Sequence, residues 1–156
     1  MATQWVTAVM LHKTEPPTSE NAMHTVIFAC IHNAGRSQMA AAFFNRLADP
    51  AKARAVSAGT QPAVHVHPEV RAALAEVGID LGTAHPQLLT AELAQGAALL
   101  VTMGCGDGCP HLPGLQRDDW PLADPKGQPA EVVARIRDEV ARRVRALLSA
   151  RQWLAG

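Results

Sequence analysis

The sequence predicts an α/β fold, a single domain built on a parallel sheet covered on both faces. Three observations predict it. Short apolar runs of strand length alternate with segments of helical periodicity. The runs are apolar throughout rather than at every second residue, which suits strands buried on both sides. The length, 156 residues with 48% hydrophobic content, suits one domain with a full core.

The elements follow in chain order. Residues 25–30 read as a buried strand ending at Cys30. Residues 37–48 read as a helix, with Met39, Phe43, Phe44 and Leu47 at helical spacing and Asp49-Pro50 ending it. Residues 54–58 form a short strand closed by Gly59. Residues 68–77 form a helix, with Pro68 in its first turn and Gly78 at its C-terminal end. Thr90 caps a brief helix that runs through Gln95. Residues 98–103 are another continuous apolar strand, and 115–120 read as a short fourth strand. Residues 128–153 form a long helix with the apolar stripe Val132, Val133, Ile136, Val140, Val144, Leu147 and Leu148. Its arginines at 135, 137, 142, 143, 145 and 151 read as a solvated face. Residues 1–22, polar with a Pro16-Pro17 break, read as a flexible N-terminal extension, and 23–156 as the folded domain.

Composition narrows the function. Lys+Arg and Asp+Glu both number 14, so the formal net charge is zero, which argues against nucleic acid or a membrane as partner. No apolar run approaches the roughly 18 residues of a membrane span. Residues 1–22 lack the basic start and apolar stretch of a signal peptide. The expected location is the cytoplasm, where Cys30, Cys105 and Cys109 are kept reduced.

The chemistry centres on Cys30-Ile31-His32-Asn33-Ala34-Gly35-Arg36-Ser37 at a strand-to-helix junction. A loop of this kind turns its N–H groups inward, and the helix N-terminus adds positive potential. A tetrahedral oxyanion fits there, with Arg36 forking two of its oxygens. The same field favours the thiolate form of Cys30, placing a nucleophile beneath the anion. The bland alternative is an inert buried cysteine at the end of a core strand. In an open parallel sheet the ligand lies beyond the carboxyl ends of the strands, so the loop after Met103 falls at the same edge.

That second loop holds Cys105 and Cys109 around Gly106-Asp107-Gly108, a spacer that lets the pair close a small ring. With His111 it supplies three metal ligands at most, short of the four that zinc takes; a redox relay fits better. Asp124, before Pro125, is either a plain turn residue or an acid able to protonate a leaving oxygen. His65 and His67 have no third ligand nearby in sequence and read as surface or helix-start residues.

The combination resembles the arsenate reductases built on the low-molecular-weight protein tyrosine phosphatase fold. The motifs that carry it are residues 32–40, Val56-Ser57-Ala58-Gly59-Thr60, Val101-Thr102-Met103-Gly104-Cys105-Gly106-Asp107, Cys109-Pro110, and Trp120 with Asp124-Pro125. The resemblance implies a three-layer domain with a four-stranded parallel sheet flanked by helices. It implies reduction of arsenate to arsenite with no metal, flavin or nicotinamide bound. By that resemblance Ile31, His32, Asn33, Ala34, Gly35 and Arg36 bind arsenate, and would take phosphate or sulfate. Cys30 attacks arsenic while Ser37 donates to its sulfur and Asp124 protonates the departing hydroxide. Cys105 then attacks Cys30, Cys109 attacks Cys105, and an external thiol reductant, thioredoxin, reduces the Cys105–Cys109 disulfide.

The Cys105-x3-Cys109 spacing is tighter than in the best-known thioredoxin-coupled members and looks more like an actinobacterial branch. Some members of that branch use mycothiol and a mycoredoxin-type reductant, so an arsenate-mycothiol transferase is one alternative. Thioredoxin-coupled members can hold a potassium ion through acidic residues, where this chain has Ala41 and Gln87 beside Asn33; no strong cation site is expected. The other alternative is a low-molecular-weight protein tyrosine phosphatase, since Cys30, Arg36 and Asp124 suffice for phosphoryl transfer. Against it, the chain has no tyrosine for an aromatic-flanked phosphotyrosine slot, and its paired cysteines would lack a task.

Overall fold

The computed structural model describes residues 23–104 and 112–156. Strands β1 (His24–Cys30), β2 (Ala53–Gly59), β3 (Leu99–Thr102) and β4 (Arg117–Asp119) alternate with helices α1 (Arg36–Leu47), α2 (Pro68–Glu76), α3 (Ala91–Ala94) and α4 (Ala130–Arg151). The strands form one sheet in the order β2-β1-β3-β4, with every neighbouring pair parallel.

The sheet is covered on both faces, as its apolar runs require. Val26, Phe28 and Cys30 of β1 face a core shared with α1, α2 and α4. Ile27 and Ala29 face a smaller core closed by Leu89, Ala94 and Leu100. Phe28 anchors the larger side, its ring 5.9 Å from Phe44 and 5.5 Å from Trp120. Along α4, Val133, Ile136, Val140, Val144 and Leu148 are buried, and Val132 and Leu147 pack partly buried against the same core. Each such side chain contributes about 1.5–3 kcal/mol on burial.

The strand ends share one edge. Cys30 lies opposite Gly59, Ala29 opposite Thr102, and Trp120 N–H donates to the Thr102 carbonyl at 2.8 Å. Thr90 caps α3 as expected, its Oγ1 accepting from Leu93 N–H at 3.0 Å.

Three local expectations change. The fourth strand spans only Arg117–Asp119; Leu115 and Trp120 flank it and pack into opposite cores, with the Trp120 N–H still tied to Thr102. The last helix starts at Ala130, since Pro129 stands before it in extended backbone, and it stops where Gln152 adopts φ 60 and returns Trp153 to the core. Arg137 is no part of a solvated face: its side chain is 10% exposed. It donates from Nη1 to the Ala73 carbonyl at 2.9 Å and from Nε to Asp138 Oδ1 at 2.9 Å. The Val77 N–H is directed to the Leu74 and Ala75 carbonyls, so Arg137 takes the place of a donor at the C-terminal end of α2 and sets a positive charge there. On the outer side of α4, Glu139 pairs with Arg142 and Arg143, whose hydrogen bonds hold its carboxyl down to about 2. Among the described residues no helix is long and apolar enough to cross a membrane.

Replacing Arg137 by methionine keeps the apolar stem and removes the donors. The expected outcome is a loss of about 1–3 kcal/mol from leaving the Ala73 carbonyl unmatched, read as a lower urea midpoint at an unchanged slope.

Candidate active site

β1 delivers Cys30, 3% exposed, to the sheet edge, and residues 31–35 carry the chain into α1. Five successive carbonyls of this loop are tied down. Ile31 accepts from Gln61 N–H (2.8 Å), His32 from Ala63 N–H (2.9 Å), Ala34 from His67 N–H (3.0 Å) and Gly35 from Met39 N–H (3.0 Å). Asn33 accepts from Gln38 Nε2 at 3.0 Å. In a trans peptide the N–H points opposite to the C=O, so the amides of residues 32–36 are directed the other way. Among the described residues none of these amides has a backbone acceptor. Such a concavity of N–H groups at a helix start is built for an anion.

Asn33 makes the bend, fully buried with φ 51, a conformation asparagine tolerates better than most residues. Its Nδ2 donates to Ser37 Oγ at 2.7 Å, and its Oδ1 accepts from Gln87 N–H at 2.9 Å. Ser37 Oγ lies 2.9 Å from Cys30 Sγ. Because the oxygen already accepts from Asn33, the hydroxyl hydrogen is available to the sulfur. A donor there stabilises negative charge on the sulfur.

Arg36 is 8% exposed, and its Nη1 donates to the Leu122 carbonyl at 2.9 Å. Its Nε is buried and has no partner among the described residues. Buried N–H groups are nearly always matched, and an oxyanion in the loop would match this one.

Three glycines permit the close approaches around this loop. A Cβ at Gly59 would stand 2.6 Å from the Ile31 carbonyl oxygen, so the loop crosses the end of β2 only over a bare backbone. Gly104 has φ 94, and a Cβ there would collide with the Arg36 guanidinium. The chain leaving β3 therefore lies against Arg36 one residue before Cys105. On the other flank, a Cβ at Gly35 would lie 2.9 Å from Pro125 Cγ, so the segment carrying Asp124 borders the loop. Asp124 is exposed, with Oδ1 accepting from Lys126 N–H at 3.0 Å.

The structure thus joins Cys30, the 31–36 loop and Ser37 in one motif and sets the Asp124 segment beside it. Cys105, Cys109 and His111 lie outside the described residues. His32 Nδ1 stands 3.0 Å from the Gln61 carbonyl oxygen. His65 is exposed, and His67 starts α2. Ala41 is buried, and Gln87 Nε2 donates to the Ser57 carbonyl at 2.9 Å. Among the described residues no group of three His, Cys, Asp or Glu could hold a metal ion. Sequence reasoning assigned no role to Gln38, to the Gln87 amide or to Gly104. A lone glutamine at the start of an alanine-rich helix was the available signal for the first.

The sequence matches the family model of the low molecular weight phosphotyrosine protein phosphatase over residues 25–154. The chain belongs to this family. Within it, the chain is 36% identical over 126 residues to arsenate reductase 1 of Bacillus cereus, covering 78% of this chain and 91% of the relative. Among solved structures, it is similar to a thioredoxin-dependent arsenate reductase of Corynebacterium glutamicum, with TM-score 0.73, 36% identity, and coverage of 93% of this chain and 67% of that one. It is also similar to an arsenate reductase in the phosphate binding state, with TM-score 0.70, 34% identity, and coverage of 82% and 98%. An arginine phosphatase of Geobacillus stearothermophilus shares the fold at TM-score 0.66 and 25% identity, with coverage of 83% and 93%.

Arg36→Lys keeps the charge but cannot hold the Leu122 carbonyl and also present a second planar donor. Phosphate binding, measured by protection of Cys30 from iodoacetamide, is expected to weaken roughly a hundredfold, the worth of one or two charge-assisted hydrogen bonds.

Proposed function

We propose that this chain is an arsenate reductase that works by thiol chemistry and draws its electrons from an external thiol reductant, thioredoxin. The observation that carries this reading is the contact between Gly104 and Arg36. It brings the chain leading to Cys105 against the residue that clamps the anion, at the edge where Cys30 waits. Phosphoryl transfer gives a second protein thiol no task; an intramolecular thiol relay needs one within reach of Cys30. The Bacillus relative and the Corynebacterium structure support the same activity.

In this mechanism the loop amides and Arg36 hold arsenate above Cys30. The thiolate attacks arsenic, and Asp124 protonates the hydroxide that leaves. Ser37 donates to the Cys30 sulfur and stabilises it as attacking group and later as leaving group. Cys105 then attacks the Cys30 sulfur. A sulfur–sulfur bond forms, the sulfur–arsenic bond breaks, and its electron pair stays on arsenic, which departs as arsenite. Cys109 attacks Cys105 and releases Cys30 as thiolate. Thioredoxin reduces the Cys105–Cys109 disulfide by the same exchange, which favours a good leaving sulfur at every step. Two thiols are oxidised to one disulfide for each arsenate reduced.

Peptide mapping after a single turnover tests the relay. Wild-type protein given arsenate without reductant should release one arsenite and carry a Cys105–Cys109 disulfide with Cys30 free. Cys109→Ser should stop at Cys30–Cys105, and Cys105→Ser should release none. Turnover of Cys105→Ser on added mycothiol would show that a small thiol does the work of Cys105. A wild-type protein that remains fully reduced, with para-nitrophenyl phosphate hydrolysed by wild type and both serine variants alike, would replace the proposal by a phosphatase.

A further inference from the structure

We propose that Gln38 is the positioning residue that fixes the orientation of the anion loop, acting through the Asn33–Ala34 peptide. The inference rests on the reading of residues 31–36 as an oxyanion site and adds the element that holds it in its binding form.

The five tied carbonyls are not held alike. Those of Ile31, His32, Ala34 and Gly35 accept from backbone amides, which no side-chain substitution removes. Among the described residues, the Asn33 carbonyl alone in this set is held by a side chain, Gln38 Nε2. Gln38 is 4% exposed, and the same Nε2 donates to the His85 carbonyl at 3.3 Å. Both hydrogens of one carboxamide are used, bridging two carbonyl oxygens that would otherwise repel each other across the gap.

The consequence lies on the opposite side of the peptide. With the Asn33 carbonyl directed to Gln38, the Ala34 N–H is directed to the anion. If that carbonyl were released, the peptide could turn about the bonds flanking it and present an oxygen to the anion in place of a hydrogen. Asn33 sits at φ 51, a conformation asparagine adopts less readily than glycine, so an external hold on its peptide adds to what its own backbone preference supplies. Asn33 also donates to Ser37, which faces Cys30, so the hold reaches the nucleophile through one further hydrogen bond. Gln38 touches neither anion nor sulfur; it sets the geometry of the groups that do.

The test uses full-length protein, with inorganic phosphate as the probe. Cys30 is alkylated by uncharged iodoacetamide at increasing phosphate, and the amide of Ala34 is followed by nuclear magnetic resonance in the same titration. In wild type, phosphate should protect Cys30 and shift the Ala34 amide. Gln38→Met, which keeps the length and buried volume without the donors, should need about tenfold more phosphate for half-protection, the loss expected of one hydrogen bond. Its Ala34 amide should respond weakly at phosphate levels that saturate the wild type. Gln38→Leu serves as the second variant, and a dispersed spectrum verifies the fold of each. Folded variants with the protection constant and Ala34 shift of wild type would overturn the role of Gln38 and leave the anion site standing. A wild type that phosphate does not protect would overturn the anion-site reading, and this assignment with it.

Discussion

The site depends on one backbone constraint: the carbonyls from Ile31 to Gly35 are all bound by donors of the protein. A flexible loop of the same sequence would present a mixture of oxygens and hydrogens to an anion, and its field would average away. Here the donors come from three places: the 61–63 segment after β2, the start of α2 at His67, and the first turn of α1, which supplies the Met39 amide and the Gln38 side chain. The anion loop is thus organised by its surroundings before any ligand arrives. Preorganised donors act strongly because no further cost of ordering them falls at the moment of reaction.

The sheet supplies those surroundings. Parallel pairing of β1 with β2 and β3 ends at Cys30, Gly59 and Thr102, so three loops leave the same edge together. The large core beneath, centred on Phe28, Phe44 and Trp120, fixes β1 against α1 and thus fixes the sulfur relative to the helix start. A Cβ at Gly59 or Gly104 would collide with the Ile31–Asn33 backbone or with Arg36 and push these loops apart.

A thioredoxin-dependent arsenate reductase and an arginine phosphatase share this fold. The mechanism proposed for this chain, a nucleophilic sulfur under a bound tetrahedral anion with an acid for the leaving oxygen, would serve either chemistry. What differs is the fate of the sulfur adduct. Attack by water at phosphorus returns the thiolate unchanged. Attack by a second sulfur at Cys30 leaves the electron pair on arsenic. Under the proposed mechanism the choice falls to a second sulfur, Cys105, next in the chain after the Gly104 that lies against Arg36.

Much of this was determined by the sequence alone. Uninterrupted apolar runs dictated a parallel sheet covered on both faces, because only that arrangement buries every residue of such a strand. Cys30, Arg36 and Ser37 were legible because their function is local: a strand, a five-residue loop and a helix start place them together whatever the rest of the chain does. The boundaries of β4 and α4 were less so, since Leu115, Trp120 and Trp153 go where two cores have room for them. Arg137 reads as one arginine among six on a polar face until α2 is packed beside it and offers the Ala73 carbonyl. Gln38 and the Gln87 amide likewise gain a partner brought close by the fold: His85 for the one, Asn33 for the other. Sequence determines what is decided by spacing along the chain; tertiary structure decides hydrogen bonds whose two ends are far apart in it, because a donor's worth depends on which acceptor the fold leaves without another partner.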